Sequence, residues 1–259
     1  MKSLEDLGRG TTGLFEYAGG LTRLTVEAST VIGRLRVRLR ETLAQMYFLG
    51  VQSLAIVLLT SLATGMVIAL ESASQAVTYG VGNLVGGAVT LTTSRELGPM
   101  LTAVVVAGRA GAAIAAELGS MVVTEQIEAI EALGLSPVQM LVVPRLVAML
   151  VMLPLLTIFA DIIAIAGGAF LAKAAAGIGY DEFVESTRQL GHFNDFLLGM
   201  IKALVFAVIV VTVSCYQGLN TRGGAAGVGR ATTGSVVVSI ILIFFANFLL
   251  SFIMFRSIS

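Results

Sequence analysis

The chain has 259 residues, of which 56% are hydrophobic and 12% are charged, and its formal net charge is zero. Soluble domains carry about 25% charged residues, so this composition indicates a polytopic membrane protein. A net charge of zero gives no indication of nucleic-acid binding. The single cysteine, Cys215, excludes an internal disulfide, and one histidine without any Cys/His spacing predicts no metal site.

Residues 1–49 are predicted to form a cytoplasmic or interfacial segment, because they lack the apolar core of a signal peptide. Ile32, Leu35, Leu39, Leu43 and Met46 recur at steps of three and four, which indicates one helical face. A basic amphipathic helix of this kind is typical of a helix lying on the cytoplasmic leaflet. A charged face packed on other helices is the alternative. The interleaved basic residues are Arg34, Arg36, Arg38 and Arg40.

Residues 50–259 are predicted to form the membrane domain, all α-helical. Five stretches reach the length of about 20 apolar residues that a membrane span needs. They are Val51–Leu70, Pro99–Val122, Ala148–Leu171, Leu197–Gln217 and Ser235–Phe255. Val77–Thr93 is less apolar and rich in Gly and Thr, so we expect a re-entrant or surface helix there, with part of a full span as the alternative. Lys and Arg are more numerous on the side of the N-terminus, which predicts N-inside and C-outside.

The second span combines small residues with charges. Small residues permit close helix approach in lipid, so we expect this span to be central in the bundle. Arg109 and Glu117 lie within it, and Asp161 lies in the third span. Ionisable groups at membrane depth are costly and face protein or water, so these three are interpreted as structural ion pairs or as relay charges. The small residues are Gly108, Ala110, Gly111, Ala112, Ala113, Ala115, Ala116 and Gly119.

Catalytic chemistry is missing from the sequence. None of the three lysines (Lys2, Lys173 and Lys202) follows a glycine, so the chain has no Walker phosphate loop. No nucleophile motif or metal-protease motif occurs in a supporting context, and we predict no catalytic residue. Five spans without internal duplication also argue against a self-sufficient secondary transporter and favour a half-transporter that dimerises.

A polar segment, Thr124–Pro137, follows the second span on the predicted cytoplasmic side. Glu125, Glu128 and Glu131 recur at a spacing of three, which would place the acids on one side of a helix. Such a face suits the basic residues of a partner protein. A solvated loop is the alternative.

Four motifs in order carry a resemblance to a known family. RELGP, AGRAG…AELG, TEQI…LG…P and the LPLLT of Leu153–Thr157 resemble the MlaE/YrbE-type permeases of lipid ABC transporters, from about Gln45 to the C-terminus. The resemblance implies a homodimer of five-span permeases in the inner membrane, each preceded by an interfacial helix. It further implies cytoplasmic ATPases that use ATP and Mg, MCE-domain proteins on the outer face and, in some systems, a STAS-domain protein. This chain itself would bind no cofactor, and the transported molecule would be phospholipid moving between the inner membrane and the outer envelope.

The resemblance also assigns residues. Arg95 and Glu96 would line the lipid cavity, with Lys202 nearby and Tyr79 as a cavity aromatic, and Thr124–Pro137 would be the helix that couples to the ATPase. Asn247 stands where some relatives have an acid. Asp161 is therefore considered as an alternative acid for Lys202.

Two other functions remain open on the sequence. One is an ion-coupled secondary transporter using Glu117, Asp161 and Lys202. The other is a membrane scaffold that transports nothing.

Overall fold

A computed structural model describes residues 2–33 and 38–258, and within these ranges the chain forms helices and turns without strands. Five helical runs are long and apolar enough to cross a membrane, as predicted. They are Leu39–Ala76, Gly82–Val123, Val138–Ala176, Phe193–Leu219 and Gly224–Met254. The helices are α1 (Lys2–Gly33), α2 (Leu39–Met46), α3 (Gln52–Thr78), α4 (Val85–Thr92), α5 (Gly98–Val106), α6 (Ala112–Val123), α7 (Gln126–Ala132), α8 (Val143–Ala176), α9 (Tyr180–Leu190), α10 (Phe193–Leu219) and α11 (Gly224–Ile258).

The predicted amphipathic face is divided between two helices. Ile32 belongs to the end of α1, whereas Leu39, Leu43 and Met46 belong to α2, which continues into the first span. Leu39 and Leu43 are 74% and 64% exposed, so α2 does present an apolar face. Leu35, together with Arg34 and Arg36, lies outside the described residues. The location of this face on a leaflet stays a prediction.

The second span is longer than predicted. It runs for 42 residues from Gly82 to Val123, about 63 Å of helix, against a hydrocarbon core of about 30 Å. Most of Val77–Thr93 belongs to this helical run, because α4 continues into α5 through a helical turn, as in the alternative of part of a longer span. Its position relative to the membrane surface stays a prediction. Gly86 is buried where α4 packs on α9, and the Gly87 N–H donates to Ser186 Oγ at 2.9 Å. The glycines that lower the hydropathy of α4 are the residues that permit this close packing.

The second span is central, as the small residues predicted. In its most apolar stretch of 18 residues, 56% is buried inside the protein, compared with 11% in the corresponding stretch of the fifth span. Gly111 lies against Ser214 of α10, and Gly119 lies against Thr221 beyond α10. The first and third spans pack against each other through their helices α3 and α8, where Gly65 contacts the backbone of Ala164.

Two elements lie outside the spans at the end of the bundle where α6 finishes. Helix α1 packs on α10, with Ala28 fully buried and the Tyr17 hydroxyl accepting a 3.0 Å hydrogen bond from Gln217. Helix α7 follows α6 directly and is largely exposed. This end of the molecule therefore carries the elements that the sequence places in the cytoplasm.

Candidate functional site

A wide, π-helical turn at Thr93–Leu97 positions Arg95 and Glu96 between α4 and α5. Pro99 follows this turn and has no N–H to donate to a preceding carbonyl. The Arg95 carbonyl instead accepts a 2.9 Å hydrogen bond from Lys202 Nζ. Turns of this kind are often found at functional sites. Here the turn carries two adjacent charged residues and exposes a backbone acceptor to a third.

Lys202 of α10 is the buried centre of the cluster. Its side chain is 2% exposed, and Nζ lies 2.7 Å from Glu96 Oε1. The same nitrogen donates to the Arg95 carbonyl and, at 2.8 Å, to Ser251 Oγ of α11. An ammonium has three protons, and three acceptors surround this one. Lys202 therefore holds the turn and α11 together and has no donor left for a ligand in this arrangement.

Arg95 is held by Asp195, in the first turn of α10. Arg95 Nε donates to Asp195 Oδ1 at 2.7 Å, and Nη2 contacts the same oxygen. The other carboxylate oxygen accepts the N–H of His192 at 3.1 Å, which caps α10. Asp195 is 5% exposed, whereas Arg95 is 38% exposed. The guanidinium is thus fixed on one edge, and Nη1 makes no hydrogen bond within the described chain.

The fifth span completes the cluster with two uncharged residues. Asn247 Nδ2 donates to Glu96 Oε2 at 3.0 Å, and Ser251 Oγ lies 2.9 Å from the same oxygen. Lys202 therefore does not need an acid at position 247. Glu96 supplies the carboxylate for Lys202, and Asn247 donates a hydrogen bond to Glu96. Asn247 Oδ1 is buried without a hydrogen-bond partner.

The cluster lies beside an apolar surface. Two cations and two carboxylates balance one another, while Arg95 and Glu96 are each 38% exposed. The fifth span next to them exposes its aromatic side chains, since Phe248 and Phe252 are 65% and 63% exposed. A polar group flanked by apolar surface suits a molecule with a charged head and apolar tails.

Tyr79 is not brought to this cluster. It is 79% exposed at the loop after α3. There it lines a shallow cavity of about 300 Å³ together with Gln75 and Leu84. None of the cluster residues lines that cavity.

Arg109 and Glu117 join other helices at separate places. Arg109 Nη1 donates to the Phe48 carbonyl at 2.8 Å and to Ser53 Oγ at 2.9 Å, which ties the second span to the start of the first. Glu117 forms a 2.9 Å ion pair with Arg145, whose side chain is 3% exposed. These contacts have the form of structural links between helices.

Asp161 is buried in α8 and does not pair with Lys202. It is 3% exposed, and both carboxylate oxygens lack a hydrogen-bond partner. Lys202 is already occupied by Glu96. The conjecture of an Asp161–Lys202 pair is therefore wrong in this structure.

The acids expected to contact a partner are exposed. Glu128 and Glu131 lie on α7, but Glu125 precedes it with a left-handed backbone (φ 59°). Two of the three acids therefore share the helix, and Glu125 occupies its N-cap position. None of the three forms an ion pair within the described chain.

Asp195 and Ser251 were not found by sequence analysis. Asp195 precedes the apolar window that defined the fourth span, yet an acid three residues after His192 is a signal of a helix N-terminus. Ser251 stands four residues after Asn247, on the same face of the fifth span. Because a serine in a membrane helix can bond its own backbone, its position alone gave no reason to select it.

Metal ligands are not grouped in the described part of the chain, which contains no cluster of three His, Cys, Asp or Glu side chains. The site offers charged and polar groups for binding.

Comparisons with known proteins agree with the motifs. The family described as Permease MlaE matches residues 42–253. A probable ABC transporter permease protein of Synechocystis is 42% identical over 221 residues, covering 85% of this chain and 84% of that protein. The chloroplastic protein TRIGALACTOSYLDIACYLGLYCEROL 1 of Arabidopsis thaliana is 39% identical over 221 residues, which is 85% of this chain and 63% of that protein. A probable ABC transporter permease protein of Rickettsia typhi is 39% identical over 212 residues, or 82% of each chain.

Proposed function

The chain belongs to the MlaE family of ABC transporter permeases, and from this premise we propose that it is the membrane subunit of an ATP-driven phospholipid transporter. Phospholipid would move between the inner membrane and the outer envelope. The chain would act without catalytic residues of its own, because ATP and Mg would be bound by a separate ATPase.

One observation carries the phospholipid assignment: a partly exposed Arg95 beside the exposed apolar face of the fifth span. A guanidinium forms charge-assisted hydrogen bonds to phosphate oxygens, and Nη1 of Arg95 has donors available. Apolar side chains such as Phe248 would contact acyl chains. The name of the Arabidopsis relative contains that of a galactolipid, which is consistent with a lipid substrate.

The ATPase would bind at the opposite end of the second span. An ABC permease implies an ATPase partner, and α7 presents Glu128 and Glu131 to solvent there. The residues between Arg95 and Thr124 span about 44 Å of helix, so the two functional ends are connected by one continuous element. We therefore assign Thr124–Pro137 as the coupling segment.

The expected setting is the inner membrane, with the N-terminus in the cytoplasm and the C-terminus outside. In this orientation the Arg95 cluster is at the outer end, where an MCE-domain protein would receive or deliver lipid. A STAS-domain protein would be an additional subunit on the cytoplasmic side in some systems.

The test is the lipid that co-purifies with the complex. We expect mass spectrometry of the chain purified with its genomic neighbours to find phospholipid, and Arg95→Ala to reduce the amount several-fold. Arg95→Ala leaves Asp195 with the His192 N–H as its remaining donor, so some loss of stability is expected. ATPase assembly should remain, because Lys202, Glu96 and Ser251 contact one another without the Arg95 side chain.

Arg188→Ala is the matched control, since Arg188 is an exposed arginine of α9 that forms no hydrogen bond or ion pair with the cluster. Its lipid content should equal that of the wild type. Phospholipid at wild-type level in Arg95→Ala would disprove the assignment of Arg95. The absence of any bound lipid or lipid transport in the wild-type complex would disprove the proposed function.

A further inference from the structure

The two ends of the coupling segment, Thr124–Pro137, are connected by a single side chain. Arg145 of α8 donates from Nη1 to the Leu141 carbonyl at 2.6 Å, and its Nη2 lies 2.9 Å from Glu117 Oε2 of α6. Glu117 comes two helical turns before the coupling segment, and Leu141 comes one turn after it. One guanidinium therefore joins the helix that enters the coupling segment to the residues that leave it.

Leu141 belongs to another wide, π-helical turn, Val138–Val142, which we call the inner wide turn. A main-chain carbonyl of this turn accepts a charged donor from a side chain. The Arg95 carbonyl accepts Lys202 Nζ in the same way in the turn that carries the Arg95 cluster. Both cations are buried. The two turns held in this way lie next to the two parts of the molecule that the proposed function uses, and such turns are often found at functional sites.

The ion pair also connects two spans that separate towards the end of the bundle that carries α7. In the other half of the bundle α5 packs directly on α8, where Gly98 lies against Asp161. Further along the second span, α6 packs on α10 and α11 instead of along α8. Glu117 and Arg145 bridge this separation. The second and third spans are thus joined twice, once beside the Arg95 cluster and once beside the coupling segment.

Stability alone does not account for the choice of arginine at residue 145. The side chain is 3% exposed, and its Nε is buried without a hydrogen-bond partner. A buried ion pair is often no more stabilising than apolar residues of the same volume, because the charges lose their hydration. A buried donor without a partner adds a further cost. An apolar side chain would fill the same space, but it would not bind a backbone carbonyl and a carboxylate on another helix at once.

We propose that Arg145 and Glu117 are positioning residues for coupling, because they make α6, the coupling segment and the inner wide turn move as one body. Displacement of α7 by an ATPase then reaches the second and third spans together. Without the ion pair, α6 and α8 spread apart when α7 is displaced, and less of the motion reaches the Arg95 cluster. This inference rests on the proposed function, in which Thr124–Pro137 contacts an ATPase.

The test measures lipid transported per ATP hydrolysed by the complex purified with its genomic neighbours. The complex is placed in vesicles of radiolabelled phosphatidylethanolamine and phosphatidylglycerol, and the label released is compared with the phosphate formed. We expect Glu117→Ala to assemble with its ATPase and to hydrolyse ATP at a rate near that of the wild type, but to release several-fold less lipid per ATP. Glu117→Gln keeps an oxygen that accepts from Arg145 and should retain most of the wild-type ratio.

Glu71→Ala is the control, since Glu71 is an exposed acid of α3 that forms no hydrogen bond or ion pair in the described chain. It should keep the wild-type ratio. If Glu117→Ala does not assemble, the double variant Glu117→Ala, Arg145→Met takes its place, because it leaves no buried charge unpaired. The same several-fold loss of lipid per ATP is expected.

A purely structural ion pair would give a different result. Tm, bound ATPase and total transport would fall together, while the lipid released per ATP stayed at the wild-type value, and that outcome would overturn the inference. The same holds if the variant matches the wild type in every measurement. A wild-type complex that releases no labelled lipid on ATP hydrolysis would instead overturn the proposed function, and this inference with it.

Discussion

Lys202 is a charged residue of a membrane span that lies among the expected lipid-binding residues but whose contacts are all with other residues of the protein. Its three protons are directed to Glu96, the Arg95 carbonyl and Ser251. The sequence placed it among lipid-binding residues. The contacts instead favour a role in holding Arg95 and Glu96 where a ligand can reach them.

We therefore expect Lys202→Met to destabilise the protein rather than to reduce lipid binding alone. Removing one member of a buried ion pair costs about 3–5 kcal/mol. Glu96 is 38% exposed and can recover some hydration, so a cost of about 2 kcal/mol is expected here. A thermal melt of the detergent-solubilised variant measures the effect.

The double variant Lys202→Met, Glu96→Gln is the control for this prediction. It removes both charges, so it should recover part of the lost Tm. If Lys202→Met keeps the wild-type Tm and loses only bound lipid, Lys202 contacts lipid directly and our interpretation of its contacts is wrong.

Gly98 gives a second prediction, in which the usual effect of a substitution is reversed. Gly→Ala inside a helix normally stabilises by up to about 1 kcal/mol. At residue 98 the new methyl group would meet Asp161 Oδ1 and the carbonyl of Thr93. We expect Gly98→Ala to lower stability by about 1–3 kcal/mol, as overpacking does.

Gly229→Ala is the matched substitution on α11, where a Cβ would meet nothing within 4 Å. It should leave Tm unchanged or raise it. Asp161→Ala should relieve the clash when combined with Gly98→Ala. A Gly98→Ala protein as stable as Gly229→Ala would show that the close contact does not exist.

At the scale of elements, apolar length was a reliable guide to the spans but not to their ends. The five spans follow from runs of about 20 apolar residues. The second and fourth spans begin earlier than predicted, at Gly82 and Phe193. Both differences have one physical cause, because small and polar residues that are buried by packing lower the hydropathy of the segment. Gly86 of α4 is hidden against α9, and Asp195 of α10 is hidden by Arg95.

The wide turns could not be read from the sequence either. Thr93–Leu97 and Ala107–Gly111 carry Arg95, Glu96 and Arg109 within otherwise regular helices. No local signal distinguishes a π-helical turn from an α-helical one, because it is stabilised by contacts from other helices. For Arg95 and Glu96 these come from α10 and α11. The motif RELGP contains the two charged residues of the first of these turns, whose partners Asp195 and Ser251 appear only in three dimensions.

Helix α7 gives a prediction at the element scale. We expect Glu128→Lys combined with Glu131→Lys to reduce the ATPase that co-purifies, because two exposed acids would become repulsive to a basic surface. Folding should be unaffected, since neither side chain has an ion pair in the described chain. The measurement is the stoichiometry of the purified complex together with its ATPase rate.

Glu185→Lys provides the comparison for α7, as it reverses an exposed acid of α9 at the other end of the bundle. Its complex should contain the normal amount of ATPase. Normal assembly and normal coupling in the α7 double variant would exclude α7 as the ATPase contact.

At the scale of the whole molecule, one bundle leaves its fifth span largely uncovered. Only 11% of the most apolar 18-residue stretch of that span is buried. Three aromatic side chains are exposed along the span, namely Phe244, Phe248 and Phe252. In a membrane this face meets lipid or another helix. The Arg95 cluster lies against the same span through Asn247 and Ser251. A second copy facing this span would place two such clusters near one twofold axis, which is the usual symmetry of homodimers.

The expected dimer can be tested by cysteine cross-linking, and the chain is well suited to it. Its single native cysteine, Cys215, is fully buried, so reagents should not reach it. We expect Phe248→Cys to give a cross-linked dimer in membranes, because it lies on the uncovered face beside Asn247. Phe170→Cys on α8 is the control, as it is 59% exposed on a different span and should remain monomeric. Cross-linking through Phe170→Cys alone would place the axis elsewhere. Monomers from both variants in a preparation that still transports lipid would mean that one chain forms the whole pathway.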